Sequence, residues 1–251
     1  MTIKEKLRQC QKSIGTWISI GHPSVIEILA SAGFEWFVLD MEHSAISLET
    51  AQVLMTAAKS KNTPVLVRVP ENHPTIIKRV LDLGADGIIV PMVNTKAEAT
   101  QAVESAYYPN AGRRGVGLYR AQNYGIGFPE YREKLENKEL IVIAQIEHID
   151  AVNNLEGILD VDGIDGTIIG PYDLSASMGH PGDYERDDVK AAIQRVESTC
   201  KKRGKSLGFH VIPSKAEELQ KKLDEGYNFV AFSLDFFFLG DRAREEMEKI
   251  Q

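Results

Sequence analysis

The sequence has few cysteines and no long uninterrupted hydrophobic run. Only Cys10 and Cys200 occur among 251 residues, and neither lies in a motif of spaced metal ligands, so we expect free thiols in a reducing compartment. No apolar stretch approaches the roughly 20 residues needed to cross a bilayer. The polar start, MTIKEKLRQCQKS, lacks the apolar centre of a secretory signal. We therefore expect a cytoplasmic protein without a membrane partner.

The chain also lacks an excess of positive charge. It carries 29 Lys and Arg against 36 Asp and Glu, a formal net charge of −7. Nucleic-acid binding needs basic side chains clustered against phosphates. The one short basic run, KKRGK at 201–205, is typical of a solvated helix end. We expect no nucleic-acid partner.

Short apolar runs of strand-forming residues alternate with longer amphipathic segments along the whole chain. Several runs are apolar at consecutive positions, as in parallel strands that are buried on both faces. The predicted strands cover 14–19, 36–40, 64–69, 87–92, 141–147, 166–170, 207–212 and 229–234. Helical spacing of apolar residues predicts helices between them, among others at 24–33, 48–61, 75–85, 96–108 and 187–204.

Eight strand–helix units favour a closed (β/α)8 TIM barrel, a fold that commonly occupies about 250 residues. An open doubly wound sheet would also alternate, but no G-x-G-x-x-G follows the first strand. We expect residues 1–251 to form one barrel domain. A stretch rich in Gly, Tyr and Arg at 108–131 interrupts the pattern. A loop of this length either lines a functional pocket or is a surface excursion.

Polar residues follow the predicted strands at their C-terminal ends, where β/α barrels build their active sites. They are Asp40-Met41-Glu42-His43 after strand 2, Arg68 on strand 3, Gln145 and Glu147 on strand 5, Gly170-Pro171-Tyr172-Asp173 after strand 6, and His210 on strand 7. Polar groups at one end of otherwise apolar strands predict catalysis.

Two carboxylates end adjacent predicted strands, Glu147 and Asp173. Together with water and substrate oxygens, two carboxylates suit an octahedral hard cation such as Mg²⁺ or Mn²⁺. The alternative is structural, because either carboxylate can pair with an arginine and Asp173 precedes a helix that it can cap.

Arg68 and His43 are the other candidates for chemistry. A guanidinium at the end of an apolar strand needs an anionic partner, which is either a structural carboxylate or a substrate oxygen that its planar fork can bind. His43 is a candidate general base, although a lone histidine after a strand is often structural. Asp40 and Asp82 are possible partners of His43, and Asp82 also suits a solvated helix face. No lysine lies at a strand C-terminus, which disfavours a Schiff-base aldolase.

Several segments together resemble the HpcH/HpaI aldolase family, metal-dependent pyruvate aldolases of the phosphoenolpyruvate/pyruvate-barrel superfamily. The resemblance spans nearly the whole chain in family order. It is carried by GTWISIGHP, AGFEWFVLDMEHSA, VLVRVPENHP, LDLGADGIIVPMV, YYPNAGRRGVG, IAQIEHIDAVNNLEGIL and VDGIDGTIIGPYDLSASMG. The resemblance implies a lyase that cleaves a 4-hydroxy-2-oxoacid to pyruvate and an aldehyde through a metal-stabilised enolate.

The resemblance also implies roles for individual residues. Glu147 and Asp173 match the ligands of the divalent cation, which is Mg²⁺ or Mn²⁺, with Co²⁺ or Zn²⁺ as further possibilities. Arg68 matches the residue that holds the 2-oxoacid carbonyl oxygen, and His43 matches the acid/base histidine. Asp82 and Asp40 match its acidic partner and a neighbouring carboxylate. The implied substrate-binding residues are Arg68, Gln145, Gly170, Pro171, Tyr172, Asp173 and His210.

The sequence departs from better-known members of this family at two positions. Tyr172 stands where alanine is common, and His210 stands where an apolar residue lines the acceptor pocket. Both departures leave the aldehyde open, and they leave room for related chemistry on oxaloacetate, a citrate-like substrate or a CoA thioester. For the last, Arg113 and Arg114 are the only candidate basic groove. A non-catalytic barrel that binds a metal or an oxoacid is the alternative outside enzymes.

The resemblance further implies a hexamer, a dimer of trimers in which the C-terminal helix is exchanged between subunits. The aromatic residues of FFFLGDRAREEMEKI suit such a contact, and an ordinary helix that closes the barrel is the alternative.

Overall fold

The computed structural model describes residues 1–250, in which eight parallel strands form a closed barrel. Each strand pairs with the next in the chain, and the last pairs with the first. The strands are β1 Ser13–Ile18, β2 Trp36–Asp40, β3 Val65–Arg68, β4 Gly87–Val90, β5 Ile141–Ile146, β6 Gly166–Ile169, β7 Ser206–Val211 and β8 Phe229–Leu234. The predicted TIM barrel is confirmed, with strand bounds within a few residues of the prediction.

One helix precedes the first strand, and the others follow the strands and pack around the barrel. They are α1 Ile3–Arg8, α2 Pro23–Ser31, α3 Leu48–Ser60, α4 Pro74–Asp82, α5 Lys96–Ala106, α6 Phe128–Glu136, α7 Ile149–Asn153, α8 Leu155–Leu159, α9 Pro171–Ser177, α10 Asp187–Arg203, α11 Ala216–Asp224 and α12 Asp235–Glu248. A 3-10 helix spans Arg120–Gly125. No helix among the described residues combines the length and the apolar character that a membrane span requires.

Histidine side chains start three of these helices. His22, His73 and His148 occupy the N-cap positions of α2, α4 and α7, and each Nδ1 accepts a hydrogen bond from the backbone N–H two residues later. Proline follows His22 and His73 at the first helical position, where its missing N–H costs nothing. Half of the six histidines are therefore used to begin helices.

Alternate residues of each strand face two different cores. On β2, Phe37 and Leu39 pack against the surrounding helices, whereas Trp36 and Val38 point into the barrel. The ring of Trp36 stacks on Phe229 of β8 at 4.2 Å between centroids. Residues of both cores are almost fully buried, and this burial on two faces explains why the strands appear in the sequence as continuous apolar runs.

Helix α1 closes the N-terminal end of the barrel. Ile3 and Leu7 join the inner core, and the ammonium of Lys4 forms a buried ion pair with Asp165 at 2.6 Å. Lys4 also donates to the Leu140 carbonyl at 2.6 Å. The ammonium is thereby satisfied in a place where an unpaired charge would be costly.

The 108–131 stretch is a surface excursion anchored by one buried arginine. Arg114 bonds Asp82 of α4 at 2.6 Å and the Tyr131 hydroxyl at 2.9 Å. The 3-10 helix then helps to line a cavity of about 470 Å³ with Pro64 and Asp86, which precede β3 and β4. This part of the stretch lies at the N-terminal end of the barrel, away from the C-terminal strand ends, so it lines no catalytic pocket of its own chain.

We expect Gly15→Ala to lower the free energy of unfolding by about 1–3 kcal/mol, because adding atoms to a fully occupied core is destabilising. A Cβ at Gly15 would lie 2.1 Å from Cδ2 of Trp36, inside the barrel. Urea unfolding followed by circular dichroism measures the change. The control is Gly157→Ala in α8, where a Cβ meets only Lys96 Cβ at 3.6 Å and helix propensity favours alanine. Equal stabilities of the two variants would contradict the packing argument.

Candidate active site

The ends of β2 and β3 are joined by an arginine–carboxylate pair. These strands are adjacent and place Asp40 opposite Arg68. Arg68 Nε donates to Asp40 Oδ1 at 3.0 Å, and Nη2 donates to Oδ2 at 2.7 Å. The guanidinium also lies over the Trp17 ring at 4.4 Å. Two parallel bonds and an aromatic floor hold Arg68 in one orientation at the mouth of the barrel.

The loop after β2 brings a second carboxylate to the same arginine. Asp40 Oδ1 accepts the backbone N–H groups of Glu42 and His43 at 3.1 Å each. This turn places Glu42 Oε2 at 3.3 Å from Arg68 Nη1 and at 3.8 Å from His43 Nε2. Glu42 Oε2 is buried without a hydrogen-bond partner, whereas the His43 side chain is 64% exposed.

Glu147 is held at the end of β5 by two donors. Its Oε1 accepts the Met92 N–H at 2.7 Å, and its Oε2 accepts the side-chain amide of Gln145. Met92, just after β4, has φ +52°, a left-handed conformation that costs a non-glycine residue energy. The backbone is therefore strained at Met92, the residue whose N–H bonds the Glu147 carboxylate.

Helix α9 starts directly beside Glu147. A Cβ at Gly170 would lie 3.1 Å from Glu147 Oε2 and 3.6 Å from the Gln145 amide nitrogen, so glycine permits this close approach. Pro171 then occupies the first turn, with Asp173 two residues later. The Asp173 carboxylate forms no hydrogen bond within residues 1–250, and it is close enough to Glu147 to raise the pKa of that carboxyl.

A small pocket of about 130 Å³ lies among these groups. Its walls are formed by Trp17, Arg68, Gln145, Ile168, Ile169, Gly170, Pro171, Tyr172, Asp173, His210 and Ile212. The site residues predicted on β3, β5, β6 and β7 therefore share one cavity or border it. The substrate-binding prediction for His210 and Tyr172 is consistent with this geometry.

Carboxylates outnumber cationic groups around the pocket, and their pKa values reflect it. Burial, together with the charges of Glu147, Asp40 and Asp173, raises the pKa of Glu42 to about 7, although Arg68 opposes the shift. Burial likewise raises the pKa of Glu147. Burial acts in the same sense on Asp40, but the hydrogen bonds and charge of Arg68 bring the pKa of Asp40 below its ordinary value.

His210 is neutral under ordinary conditions. Burial and the positive charge of Arg68 lower its pKa to about 3, against a smaller opposing effect of the Ser233 carbonyl. The ring lies at 5.1 Å from the Trp17 ring, and Nε2 is buried without a hydrogen-bond partner. This imidazole is therefore a polar but uncharged part of the pocket wall.

Among the predicted site residues, Asp82 lies apart from the others within this chain. Its carboxylate bonds Arg114, and His43 makes no ion pair with it within residues 1–250. Arg114 is fully buried and Arg113 pairs with Glu104, so neither forms the open basic groove that a CoA substrate would need. Sequence reasoning also missed Trp17 and assigned no role to Glu42. The position of Glu42 within LDMEH was the available signal.

The donor set fits a divalent cation. Asp173 lines the pocket, and the Glu147 carboxylate borders it at Gly170, so two hard oxygen donors lie close together. The single guanidinium of Arg68 pairs with two further carboxylates, Asp40 and Glu42. No group of three or more His, Cys, Asp or Glu side chains forms a ready metal cage in residues 1–250. Two protein carboxylates with the remaining positions left to water and substrate match the way Mg²⁺ is usually bound.

Comparisons with known proteins show which proteins this chain is similar to. The family model described as HpcH/HpaI aldolase/citrate lyase matches residues 13–240. The 5-keto-4-deoxy-D-glucarate aldolase of Klebsiella pneumoniae is 38% identical over 92% of this chain and 90% of its own. The hydroxypyruvate/pyruvate aldolase of Roseobacter denitrificans is 37% identical over 95% of this chain and 92% of its own.

A solved structure shares the fold of this chain. An HpcH/HpaI aldolase/citrate lyase family protein from Burkholderia cenocepacia J2315 superposes with a TM-score of 0.91 at 31% identity, covering 99% of this chain and 98% of that one. With the family model matched from β1 into α12 and aldolases among the relatives, this chain belongs to the HpcH/HpaI aldolase/citrate lyase family.

Proposed function

We propose that this protein is a divalent-metal-dependent lyase that cleaves a 4-hydroxy-2-oxoacid to pyruvate and an aldehyde, and that also catalyses the reverse condensation. Membership of an aldolase family and relatives named as aldolases support aldehyde-lyase chemistry. The observation that carries the proposal is the pocket lined by Asp173 and a fixed Arg68, with the Glu147 carboxylate beside its wall at Gly170 and Gln145. These groups suit an oxoacid that becomes negatively charged on its carbonyl oxygen.

In this proposal, Glu147 and Asp173 hold the cation. When bound, the cation supplies Lewis-acid polarisation of the 2-oxoacid. Mg²⁺ and Mn²⁺ fit the all-oxygen donor set best, and Co²⁺ or Zn²⁺ can also be bound by carboxylates. The hydrogen bonds from Gln145 and Met92 orient Glu147 for this role.

Arg68 meets the negative charge that develops when pyruvate becomes an enolate. Its guanidinium is fixed by Asp40, Glu42 and Trp17, so no reorganisation is needed as the charge appears. The substrate carboxylate lies at the start of α9. Pro171 has no N–H, so the backbone donors available there are Tyr172 and Asp173, at the positive end of the helix.

His43 exchanges a proton with the oxygen of the acceptor aldehyde: it takes the proton from the 4-hydroxyl of the oxoacid during cleavage and returns it to the aldehyde oxygen during condensation. Its exposed imidazole lies beside Glu42, which in turn contacts Arg68 of the pocket wall. Within one chain Asp82 is bound to Arg114, so an Asp82 that orients His43 has to come from another subunit. This requirement favours an oligomeric enzyme.

We also propose that residues 1–251 act as one barrel domain in a homo-oligomer, as a hexamer with an exchanged C-terminal helix. Helix α12 makes few contacts with the barrel beyond β1 and β8. Phe236, Leu239 and Met247 are exposed at 43%, 68% and 55%, which is unusual for one helix of a monomer. A cytoplasmic location is consistent with the two free thiols.

Oxaloacetate or a citrate-like substrate is the second candidate within the same chemistry. It is favoured by Tyr172 and His210, which add polar atoms to the wall of the pocket. A CoA thioester is less suitable because Arg114 is buried. A pure oxoacid-binding barrel has no use for an exposed base at the pocket mouth.

The protein should catalyse exchange of the pyruvate methyl protons with D₂O only when Mn²⁺ or Mg²⁺ is present. Glu147→Gln should lower the affinity for the activating metal more than about tenfold and slow the exchange. NMR measures the exchange without any acceptor aldehyde. Asp162→Asn removes an exposed carboxylate that pairs with Lys138 and serves as the control. Full exchange in the presence of EDTA would overturn the metal-dependent mechanism.

Arg68→Lys should reduce the rate of the same exchange by about 100- to 1000-fold, because a lysine keeps the charge but loses the two-pronged geometry. The stability of the variant is compared by thermal unfolding, since Asp40 loses its bidentate partner. A folded variant with an unchanged exchange rate would remove Arg68 from the proposed mechanism.

Metal binding should release protons and tighten as the pH rises from about 6 to about 8. The raised pKa of Glu42, about 7, means that its carboxyl is protonated on the acid side of this range. A nearby cation favours the carboxylate, so the proton is displaced on binding. Calorimetry with Mn²⁺ in buffers of different ionisation enthalpy counts the protons. Glu42→Gln should flatten the pH dependence, and an equally steep dependence in that variant would assign the proton to another group.

A further inference from the structure

Asp82, the last residue of α4, uses only one of its two carboxylate oxygens. Its Oδ1 accepts a hydrogen bond from Arg114 Nη2 at 2.6 Å, whereas Oδ2 accepts none within residues 1–250. The pairing of Asp40 with Arg68 is different, because there both carboxylate oxygens are bound by the same guanidinium. Asp82 therefore retains one oxygen that can accept a further hydrogen bond.

Arg114 is held so firmly that it determines how Asp82 is oriented. Its side chain is fully buried, and Nη1 donates to the Tyr131 hydroxyl at 2.9 Å and to the Ala106 carbonyl at 3.2 Å. The guanidinium also lies over the rings of Tyr108 and Tyr131, at 5.1 and 5.5 Å from their centroids. A cation fixed by hydrogen bonds and aromatic faces does not follow a moving carboxylate. The bond to Oδ1 thus sets the direction in which Oδ2 of Asp82 points.

The Asp82 carboxylate reaches the surface of the chain. Its side chain is 17% exposed and lines a cavity of about 370 Å³ between α3 and α4. A Cβ at Gly117 would lie 3.7 Å from Asp82 Oδ2, and the residues on either side of Gly117, Val116 and Leu118, are exposed at 55% and 63%. Exposed apolar side chains beside a partly used carboxylate suit contact with another protein surface.

We propose that Arg114 is a positioning residue for the active site of a neighbouring subunit: it fixes Asp82 so that Oδ2 accepts the N–H of His43 of the partner subunit. Within one chain, 64% of the His43 side chain is exposed, so the imidazole is accessible to such a contact. An acceptor at one ring nitrogen fixes the tautomer and leaves the other nitrogen to exchange the proton. This inference rests on the proposed lyase function, and it adds the residue that holds Asp82.

Arg114→Met tests the proposal, because methionine keeps much of the apolar volume and removes the hydrogen bonds. Condensation of pyruvate with short aldehydes in Mn²⁺ and exchange of the pyruvate methyl protons with D₂O are both measured. The kcat of condensation should fall at least about tenfold, with little change in the KM of the aldehyde. The exchange should keep its wild-type rate, because it does not involve the acceptor oxygen on which His43 acts. A barrel that is damaged as a whole would lose both activities together.

Three variants identify the route by which Arg114 acts. Arg113→Gln changes the preceding arginine, which is 81% exposed and pairs with Glu104, and should keep both rates. Arg114→Lys should recover part of the lost kcat, because an ammonium retains the charge beside Asp82. The double variant Arg114→Met/Asp82→Asn should be no slower than Asp82→Asn alone. Losses that add in the double variant would show that Arg114 does not act through Asp82.

Tyr131→Phe keeps the test decisive if Arg114→Met does not fold, which thermal unfolding establishes. It removes only the hydroxyl that holds Arg114 Nη1, so the loss of condensation should be about fivefold, as expected for one hydrogen bond. The exchange should again stay at the wild-type rate. Equal losses of condensation and exchange in Tyr131→Phe would overturn the inference.

Mixed oligomers test whether Arg114 acts across the interface. Arg114→Met chains, which keep His43, are co-expressed with His43→Ala chains, which keep Asp82 and Arg114, and hybrids are purified through two different tags. At least about a quarter of the sites then combine an intact His43 with an intact Asp82–Arg114 pair from the neighbouring subunit. Condensation should return to about that fraction of the wild-type rate. Hybrids no faster than the mean of the two parent variants would confine the effect of Arg114 to its own barrel and overturn the inference.

The wild-type protein distinguishes a failure of this inference from a failure of the proposed function. Metal-dependent exchange and condensation, with Arg114 variants that behave like Arg113→Gln, would overturn the inference alone. An active enzyme that sediments as a monomer would do the same, because no neighbouring subunit then supplies Asp82. Absence of exchange and of condensation with every aldehyde overturns the proposed function, and the inference falls with it.

Discussion

The candidate site depends on the pairing of Arg68 with Asp40 across adjacent parallel strands. A largely buried arginine at the C-terminal end of an apolar strand would destabilise the fold without an anionic partner. Here the neighbouring strand supplies that partner, because Asp40 lies opposite Arg68 in the strand register. Asp40 in turn accepts hydrogen bonds from the backbone N–H groups of Glu42 and His43, which positions both residues in the following loop. One ion pair thus fixes the guanidinium, orders the loop and places the exposed histidine.

The same pair explains the unequal charges around the pocket. Arg68 is paired with Asp40 and Glu42, and its positive charge offsets only part of the cost of burying Glu147. Burial, with a smaller effect of the Asp173 charge, raises the pKa of Glu147. Burial and the neighbouring carboxylates likewise raise the pKa of Glu42. The protein provides an excess of oxygen donors without a matching cationic side chain, which is the electrostatic condition of a site for a divalent cation.

Close backbone approaches decide how tightly these groups converge. Gly170 lets the start of α9 lie against Glu147, and the left-handed Met92 turns its N–H to the same carboxylate. Trp17 provides a common floor for Arg68 and His210. None of these three residues needs to take part in chemistry, yet each limits where the groups that do can lie.

The sequence by itself determined the barrel. Strands buried on two faces appear as continuous apolar runs, and helices with one apolar face show apolar residues at helical spacing, so both can be recognised locally. It also determined which residues stand at strand ends, since that follows from position along the chain. It left open whether Arg68 binds a carboxylate or a substrate, and the resemblance led to Asp82 as the partner of His43. Only the tertiary structure paired Asp82 with Arg114, gave Glu42 its raised pKa and set His210 against Trp17. Contacts of this kind join residues far apart in the chain, so they depend on barrel closure and register, which no local pattern encodes.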